Sequence, residues 1–307
     1  MSVTNIAPSP AERSVGAVDP IWDAVRAAAE QAVRDDPTLC AFMGRAVLNH
    51  ATLEAAVADR VAERLHHQDV PADALRHEME RAAARDAEWG ARLRIDVQAV
   101  FDRDPACHRH LDPVLYFKGF HALQAHRLAH ALWGEHRRDL ALYVQSRMSS
   151  VFQVDIHPAT RVGRGVFIDH GTGIVVGETA VIEDRVSILQ GVTLGGTGKE
   201  WDDRHPKVRS GVLIGANASV LGNIEIGHCA KVAAGSVVVK PVPPNTTVAG
   251  VPAKVIGAAG CDEPSAQMNQ LLGQAGGPPG EGAPTGRVTG TVTGTVAGTV
   301  GSTVTDA

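Results

Sequence analysis

Cysteine is scarce in this chain. Its four cysteines, Cys40, Cys107, Cys229 and Cys261, are scattered over 307 residues and form no CxxC pair. That argues against a disulfide framework and against a cysteine-rich zinc site. Aromatic residues make up only 4% of the chain, too few for a large aromatic core. No apolar run approaches the roughly 18 residues of a membrane-spanning helix. The opening stretch MSVTNIAPSP has neither a basic segment nor an apolar one, so no secretory signal is read there. A net charge of −5 and a pI of about 6.3 leave no broad basic field for nucleic acid. The phosphate-loop pattern GxxxxGKS/T is absent too, so the glycines near Gly195 and Gly196 are weak evidence for a phosphate site. These absences leave the expectation of a soluble, cytoplasmic protein with no nucleic-acid or membrane partner.

What the chain does have is glycine, 32 of 307 residues, and a change of texture near residue 150. Residues 1–18 carry no pattern and read as a disordered extension. Residues 19–150 are rich in Ala, Arg, Glu and Leu, with apolar residues at helical spacing in WDAVRAAAEQAVRDD and LEAAVADRVAERLHH. Asp19-Pro20 and Asp112-Pro113 read as helix starts, Asp capping and Pro at the first position. From Val151 aliphatic residues recur every six positions: Ile156, Val162, Ile168, Ile174. After a shift of two come Val176, Ile182, Ile188 and Leu194. Fourteen residues on, counted as twelve plus two, come Val208, Ile214, Val220, Ile226, Val232 and Val238.

This is a hexapeptide repeat. Each six residues predict a short strand and a corner, with the aliphatic side chain pointing into a triangular prism. Gly or Asn allows the positive φ of a tight corner. Three hexapeptides close a coil, and coils stack at about 4.8 Å. The repeat domain is placed at 151–257. The last zone, 258–307, holds the linker-like GQAGGPPGEGAPTG and then valines every four residues; it reads as a low-complexity, disordered tail.

The two breaks in the count are where chemistry is expected, because loops on a rigid scaffold carry function. The longer break holds Asp202, Asp203, Arg204, His205 and Lys207. Asp155 and His157 lie earlier, in VDIHP, and Asp169 and His170 in FIDHGTG.

Several motifs in one order carry a resemblance: DRDPA at 102–106, LYFKGFHALQAHR at 115–127, FQVDIHPAT at 152–160, DHGTGIVVGETAVI at 169–182, VSILQGVTLGGTGK at 186–199, DRHPK at 203–207 and AGVPAK at 249–254. Together, over roughly residues 19–257, the chain closely resembles serine O-acetyltransferases. The resemblance implies an α+β chain: an all-helical N-terminal domain, then a left-handed parallel β-helix. It implies acetyl transfer from acetyl-CoA to the hydroxyl of L-serine, giving O-acetylserine and CoA, at the start of cysteine biosynthesis. No permanently bound cofactor or metal is expected; acetyl-CoA is a co-substrate.

By the same resemblance His170 matches a catalytic base and Asp155 the carboxylate that orients it. Asp104 and Asp169 match serine-binding positions. Arg204 suits the serine carboxylate, and His205 is a second active-site histidine, for serine or for the tetrahedral oxyanion. Gly196, Ala216 and Ala234, with Lys231 as a looser candidate, match the pantetheine groove. L-cysteine is the expected feedback inhibitor at the serine pocket. The helical domain is expected to join two trimers into a hexamer, with active sites between subunits. A known partner of relatives, O-acetylserine sulfhydrylase, takes a C-terminal isoleucine; this chain ends Thr-Val-Thr-Asp-Ala, which departs from that pattern.

Other readings stand beside this one. His126 and His130 have the i, i+4 spacing of a metal pair, yet no third ligand is spaced to join them, so they and His121 read as exposed or helix-packing residues. Glu178 reads as a corner residue, and His157 is assigned neither role. A hexapeptide acyltransferase with another acceptor would share the prism without explaining DRDPA. A zinc-dependent carbonic anhydrase on the same prism would need a close HxxxxH pair, which His157, His170, His205 and His228 do not form. A non-catalytic scaffold would leave the dense polar loop without purpose.

Overall fold

Helix formation begins where the sequence places it. In a computed structural model describing residues 19–198 and 201–272, Asp19 accepts a hydrogen bond from the Trp22 amide at 3.2 Å. Pro20 takes the first helical position of α1 (Pro20–Asp35), where no amide hydrogen is needed. Trp22, Val25, Ala29 and Ala32 form its buried stripe at three- and four-residue spacing. Helices α2 (Cys40–Met43), α3 (Leu53–Leu65), α4 (Ala72–Arg85), α5 (Trp89–Arg103), α6 (Leu111–Leu115), α7 (Lys118–Gly134) and α8 (Arg138–Phe152) follow. Asp112 departs from expectation. Helix α6 already starts at Leu111, and the Asp112 carboxylate instead accepts hydrogen bonds from the amides of His108 and Arg109.

Helix α7 is the centre of the helical region. Every residue from Gly119 to Ala129 is buried, so His121 and His126 pack inside the helical region, while His130, the next residue, is exposed. His121 bonds the Val114 carbonyl at 2.8 Å, and His126 bonds that of Thr160 at 3.1 Å. His130 bonds the Pro158 carbonyl at 2.8 Å. Two of these bonds, those of His126 and His130, fix α7 to the first turn of the β region.

That β region is a parallel β-helix of about five turns. The first sheet stacks β1 (Val154–Ile156), β4 (Ile174–Val176), β7 (Thr193–Gly195), β10 (Ser219–Leu221) and β13 (Val237–Val238). The second stacks β2 (Arg161–Val162), β5 (Val181–Ile182), β8 (Lys207–Val208) and β11 (Glu225–Ile226). The third stacks β3 (Phe167–Ile168), β6 (Ser187–Ile188), β9 (Leu213–Ile214), β12 (Lys231–Val232), β14 (Thr246–Gly250) and the antiparallel β15 (Ala253–Ala258). Paired residues form the columns that the hexapeptide count predicts. Ile156, Val176, Leu194, Val220 and Val238 are in register, and all are buried.

The register also explains the breaks. Val176 pairs with Leu194, and Ile182 pairs with Val208. Six residues therefore lead from Val176 to Ile182, and fourteen from Leu194 to Val208, across the same corner. The long break is one ordinary step with eight inserted residues, not two steps with two. The short break adds two residues to the corner after β3, which contains His170.

The fold also runs past the expected boundary at 257. β15 ends at Ala258, and α9 (Pro264–Gln267) follows. Ser187 donates to the Ser265 carbonyl at 2.8 Å, Arg185 pairs with Glu263 at 2.8 Å, and Lys231 donates to the Leu271 carbonyl at 2.7 Å. This segment covers the outer side of the third sheet, where Phe167, Ser187, Leu213 and Lys231 are buried. The expected extension at 1–18 and the tail from residue 273 onward lie outside the described residues.

Helices and β-helix meet at a buried ion pair. Asp96 of α5 is fully buried and accepts from Arg127 Nη2 at 2.7 Å, Arg127 Nε at 2.9 Å and Gln124 at 3.0 Å. Its other oxygen accepts from the Gly165 amide at 2.8 Å, and Arg127 donates to the Gly163 carbonyl at 2.8 Å. Asp96→Asn leaves the Arg127 charge buried and uncompensated. It should cost about 3–5 kcal/mol of stability, read as a lowered denaturation midpoint.

Acid should also unfold the protein through α7. Burial pushes His121 and His126 down to about 3. In the unfolded chain both titrate near 6.5. Below that pH the unfolded chain takes protons that the folded one refuses, so stability falls from about pH 6.5 toward pH 3. Two such groups remove about 4 kcal/mol between pH 7 and pH 5. Urea midpoints at the two pH values check this, and His126→Gln should reduce the difference.

Candidate active site

Two polar clusters lie on opposite edges of the first sheet. One edge joins it to the third sheet, the other to the second. The strand between them, such as Ile174–Val176, spans roughly 10 Å.

The first cluster is acidic. A cavity of about 330 Å³ is lined by Asp104, Tyr116, Lys118, Asp169, His170 and Thr172, among others. Asp104 caps the end of α5, and Lys118 opens α7, so both helices bring polar groups to the corner after β3. His170 holds a left-handed backbone, φ 56°, which turns its ring outward; the side chain is 74% exposed. Its Nε2 lies 3.7 Å from Asp169 Oδ1. Burial pushes the Asp169 carboxyl up; the His170 ring opposes the rise and the Asp104 charge adds to it. Two carboxylates facing one cavity favour a bound cation. Lys118 Nζ donates to the Thr172 hydroxyl at the same corner.

Asp155 lies on β1, in register with Val175 on the first sheet. Its Oδ1 accepts from Gln145 of α8 at 2.7 Å. Among the described residues no hydrogen bond or ion pair joins Asp155 to His170.

The second cluster lies where the inserted loop meets the corner of Glu178, and it holds the Arg204 guanidinium. Glu178, Gly196, Gly198, Trp201, Arg204 and His205 line an open cavity of about 520 Å³. Arg204 pairs with Glu178 at 2.7 Å. Thr179 Oγ1 accepts from the amides of Arg204 at 3.0 Å and His205 at 3.1 Å. The Thr179 amide in turn donates to His205 Nδ1 at 3.2 Å. An amide can only donate, so Nδ1 is the acceptor and the neutral ring carries its proton on Nε2. Burial, then the charges of Arg204 and Lys207, push the His205 pKa down, which keeps that neutral form at pH 7. The ring packs over Gly177, where a Cβ would meet Nε2 at 1.9 Å.

Thr179, Gln145 and Lys118 went unread in the sequence, and Glu178 read as a plain corner residue. Glu178 and Thr179 precede Arg204 and His205 by 26 residues; only stacking of adjacent coils joins them.

The expected pantetheine residues do not share one location. Ala216 and Ala234 stack on the His170 edge, where the Gly235 amide donates to the Ala216 carbonyl at 2.8 Å. Gly196 is on the opposite edge. Lys231 departs further: it points from the third sheet into the segment around Leu271, buried there, and burial pushes its pKa down. Its place outside the hexapeptide corner explains the difference. Among the described residues no group of three His, Cys, Asp or Glu side chains is arranged to hold a metal.

Thr179→Val keeps the shape of the side chain and removes the hydroxyl that two loop amides use. Proteolytic cleavage within residues 196–206 should quicken about tenfold, with little change in melting temperature. Timed limited proteolysis of the two proteins measures this.

Comparison with known proteins fits this geometry. The family model described as "Serine acetyltransferase, N-terminal" matches residues 21–125. The chain is 53% identical to the serine acetyltransferase of Salmonella typhimurium over 250 residues, 81% of this chain and 92% of that protein. Among solved structures it is similar to Brucella abortus serine acetyltransferase in complex with coenzyme A. That match has a TM-score of 0.79 at 60% identity and covers 82% of this chain and all of that one. A serine acetyltransferase in complex with cysteine matches with a TM-score of 0.80 at 48% identity, over 82% of this chain and 98% of that one. The chain therefore belongs to the serine acetyltransferase family of acyltransferases.

Proposed function

We propose that this chain moves the acetyl group of acetyl-CoA to the L-serine hydroxyl, in a ternary complex at a site built by two copies. The observation that carries this is the separation of charge. The carboxylates of Asp104 and Asp169 lie at one edge of the sheet and the Arg204 guanidinium at the other, and an amino acid needs both signs. Two copies that meet across their first sheets bring the His170 edge of one to the loop edge of the next. Beyond Asp155, the outward residues in that register, Val175, Thr193, Ser219 and Val237, are small and uncharged, which suits such contact. Three copies close the ring; two rings joined through the helical domains give the hexamer.

In this reading Asp104 and Asp169 take the serine ammonium, and Arg204 of the next copy takes the carboxylate in a forked pair. Coenzyme A bound to the Brucella abortus enzyme supports acetyl-CoA as donor, along Gly196, Ala216 and Ala234. His170 removes the hydroxyl proton as serine Oγ attacks the thioester carbon. The tetrahedral intermediate gains charge on its oxygen, and the Nε2–H of His205 is a neutral donor suited to it. When the intermediate collapses the C–S bond breaks. The CoA thiolate takes the proton from the His170 imidazolium, and O-acetylserine leaves. Asp155, one oxygen already held by Gln145, has its other oxygen left to orient His170. Cysteine carries the same ammonium and carboxylate as serine, and a relative binds it; it is the proposed inhibitor of the same pocket.

CoA release should require L-serine, and His170→Ala should lower the rate at least about a hundredfold. Co-expressing His170→Ala chains with Arg204→Ala chains tests the shared site. Random mixing leaves about a quarter of sites with both residues intact, so the mixture should regain about that share of activity. No recovery would sink the shared site, and serine-independent CoA release would sink the acceptor.

A further inference from the structure

The edge that carries His170 repeats one geometry on successive turns. A residue precedes a left-handed corner: Thr172 before Gly173, Gln190 before Gly191, Ala216 before Asn217 and Ala234 before Gly235. Backbone hydrogen bonds tie these into a row. Gly191 N–H donates to the Thr172 carbonyl at 2.8 Å, Asn217 N–H to that of Gln190 at 2.9 Å, and Gly235 N–H to that of Ala216 at 2.8 Å. Three members of the row have short side chains. Gln190 is the exception, with a long amide, and it sits between the His170 corner and the two alanines.

The amide of Gln190 is unfinished. Its Oε1 is buried and, among the described residues, has no hydrogen-bond partner. Such an oxygen gains by turning toward any N–H presented at the edge. We infer that Gln190 positions the acyl donor, its Oε1 accepting the amide N–H nearest the sulfur of the pantetheine arm. This rests on the acetyl-CoA reading above.

The spacing supports it. In an acetyl thioester of cysteamine, four bonds separate the reacting carbon from that amide nitrogen. Extended, they span roughly 5 Å, about one step between stacked strands. With the acetyl group beside His170, the N–H falls at the level of Gln190, one turn along. The rest of the arm then runs past Ala216 and Ala234, whose short side chains leave the edge open. Gln190 is thus a positioning residue: it fixes how far along the edge the thioester sits.

The test uses two small donors, S-acetyl-N-acetylcysteamine and the analogue with an ester oxygen in place of the amide N–H. The wild-type enzyme should prefer the amide by about tenfold in kcat/KM, the worth of one well-placed hydrogen bond. Gln190→Met, of similar length and without the acceptor, should lose that preference and raise the KM for acetyl-CoA about tenfold. Its KM for serine and its melting temperature should not change. Gln190→Glu, which keeps an acceptor oxygen, should retain the preference. A folded Gln190→Met enzyme that still prefers the amide overturns the inference, as does a wild type with no preference. Failure of the serine reading looks different: wild-type CoA release that ignores serine. The two donors are then compared with whichever acceptor is used.

Discussion

The buried carboxylate of Asp96 sets the relation between the two halves of this fold. It is fully removed from water, and everything around it answers that cost: Arg127, Gln124 and the Gly165 amide. A buried ion pair is poor at adding net stability but strict about geometry, because any slip leaves a charge uncompensated. Here that strictness ties α5 and α7 to the first turn of the β-helix. Arg103 adds to it, donating to the Gly165 carbonyl at 3.0 Å. The consequences appear a few residues away. Asp104 caps the end of α5 and α7 begins at Lys118, so the clamp that fixes the helices also aims both residues at the cavity of His170.

The β-helix acts as a ruler. Its inner columns admit one aliphatic residue per strand, and backbone hydrogen bonds hold successive turns in register. Extra residues cannot enter a strand without moving every column above it, so they collect at corners. Two go to the corner of His170 and eight to the corner of Arg204 and His205. Each corner is held by its neighbours on the adjacent coil: Thr179 and Glu178 grip the loop from below. The loop is thus fastened at Arg204 and His205, near the scaffold, while Trp201 beyond them is 94% exposed.

Charge is sorted with equal care. The carboxylates of Asp104 and Asp169 face one cavity, and repulsion together with burial makes that cavity receptive to a cation. The opposite edge offers a guanidinium and a histidine held neutral by burial and by two cations. The two carboxylates and the Arg204 guanidinium thus lie on opposite edges of the sheet. Beyond Asp155, the outward column of the first sheet between them carries small, uncharged side chains, which suits contact with a second copy.

The helical region, the start of α1 at Asp19, the columns of the prism and the two places where the count fails are all legible in the order of residues. All of these follow from local rules: capping, periodicity and the conformational freedom of corners. The sequence also singled out His170, Arg204 and His205, because a polar loop is conspicuous against an aliphatic repeat. The tertiary structure decided what local rules do not reach. Thr179 supports a loop 26 residues away only because adjacent coils stack. Lys231 is a looser groove candidate by resemblance, and packing of residues 259–272 makes it a buried donor to the Leu271 carbonyl. Asp112, a plain helix start in sequence, became a clasp for two amides of the preceding turn. Each of these depends on a neighbour distant along the chain, and only the register of the coils and the packing of helices against them say which neighbour that is.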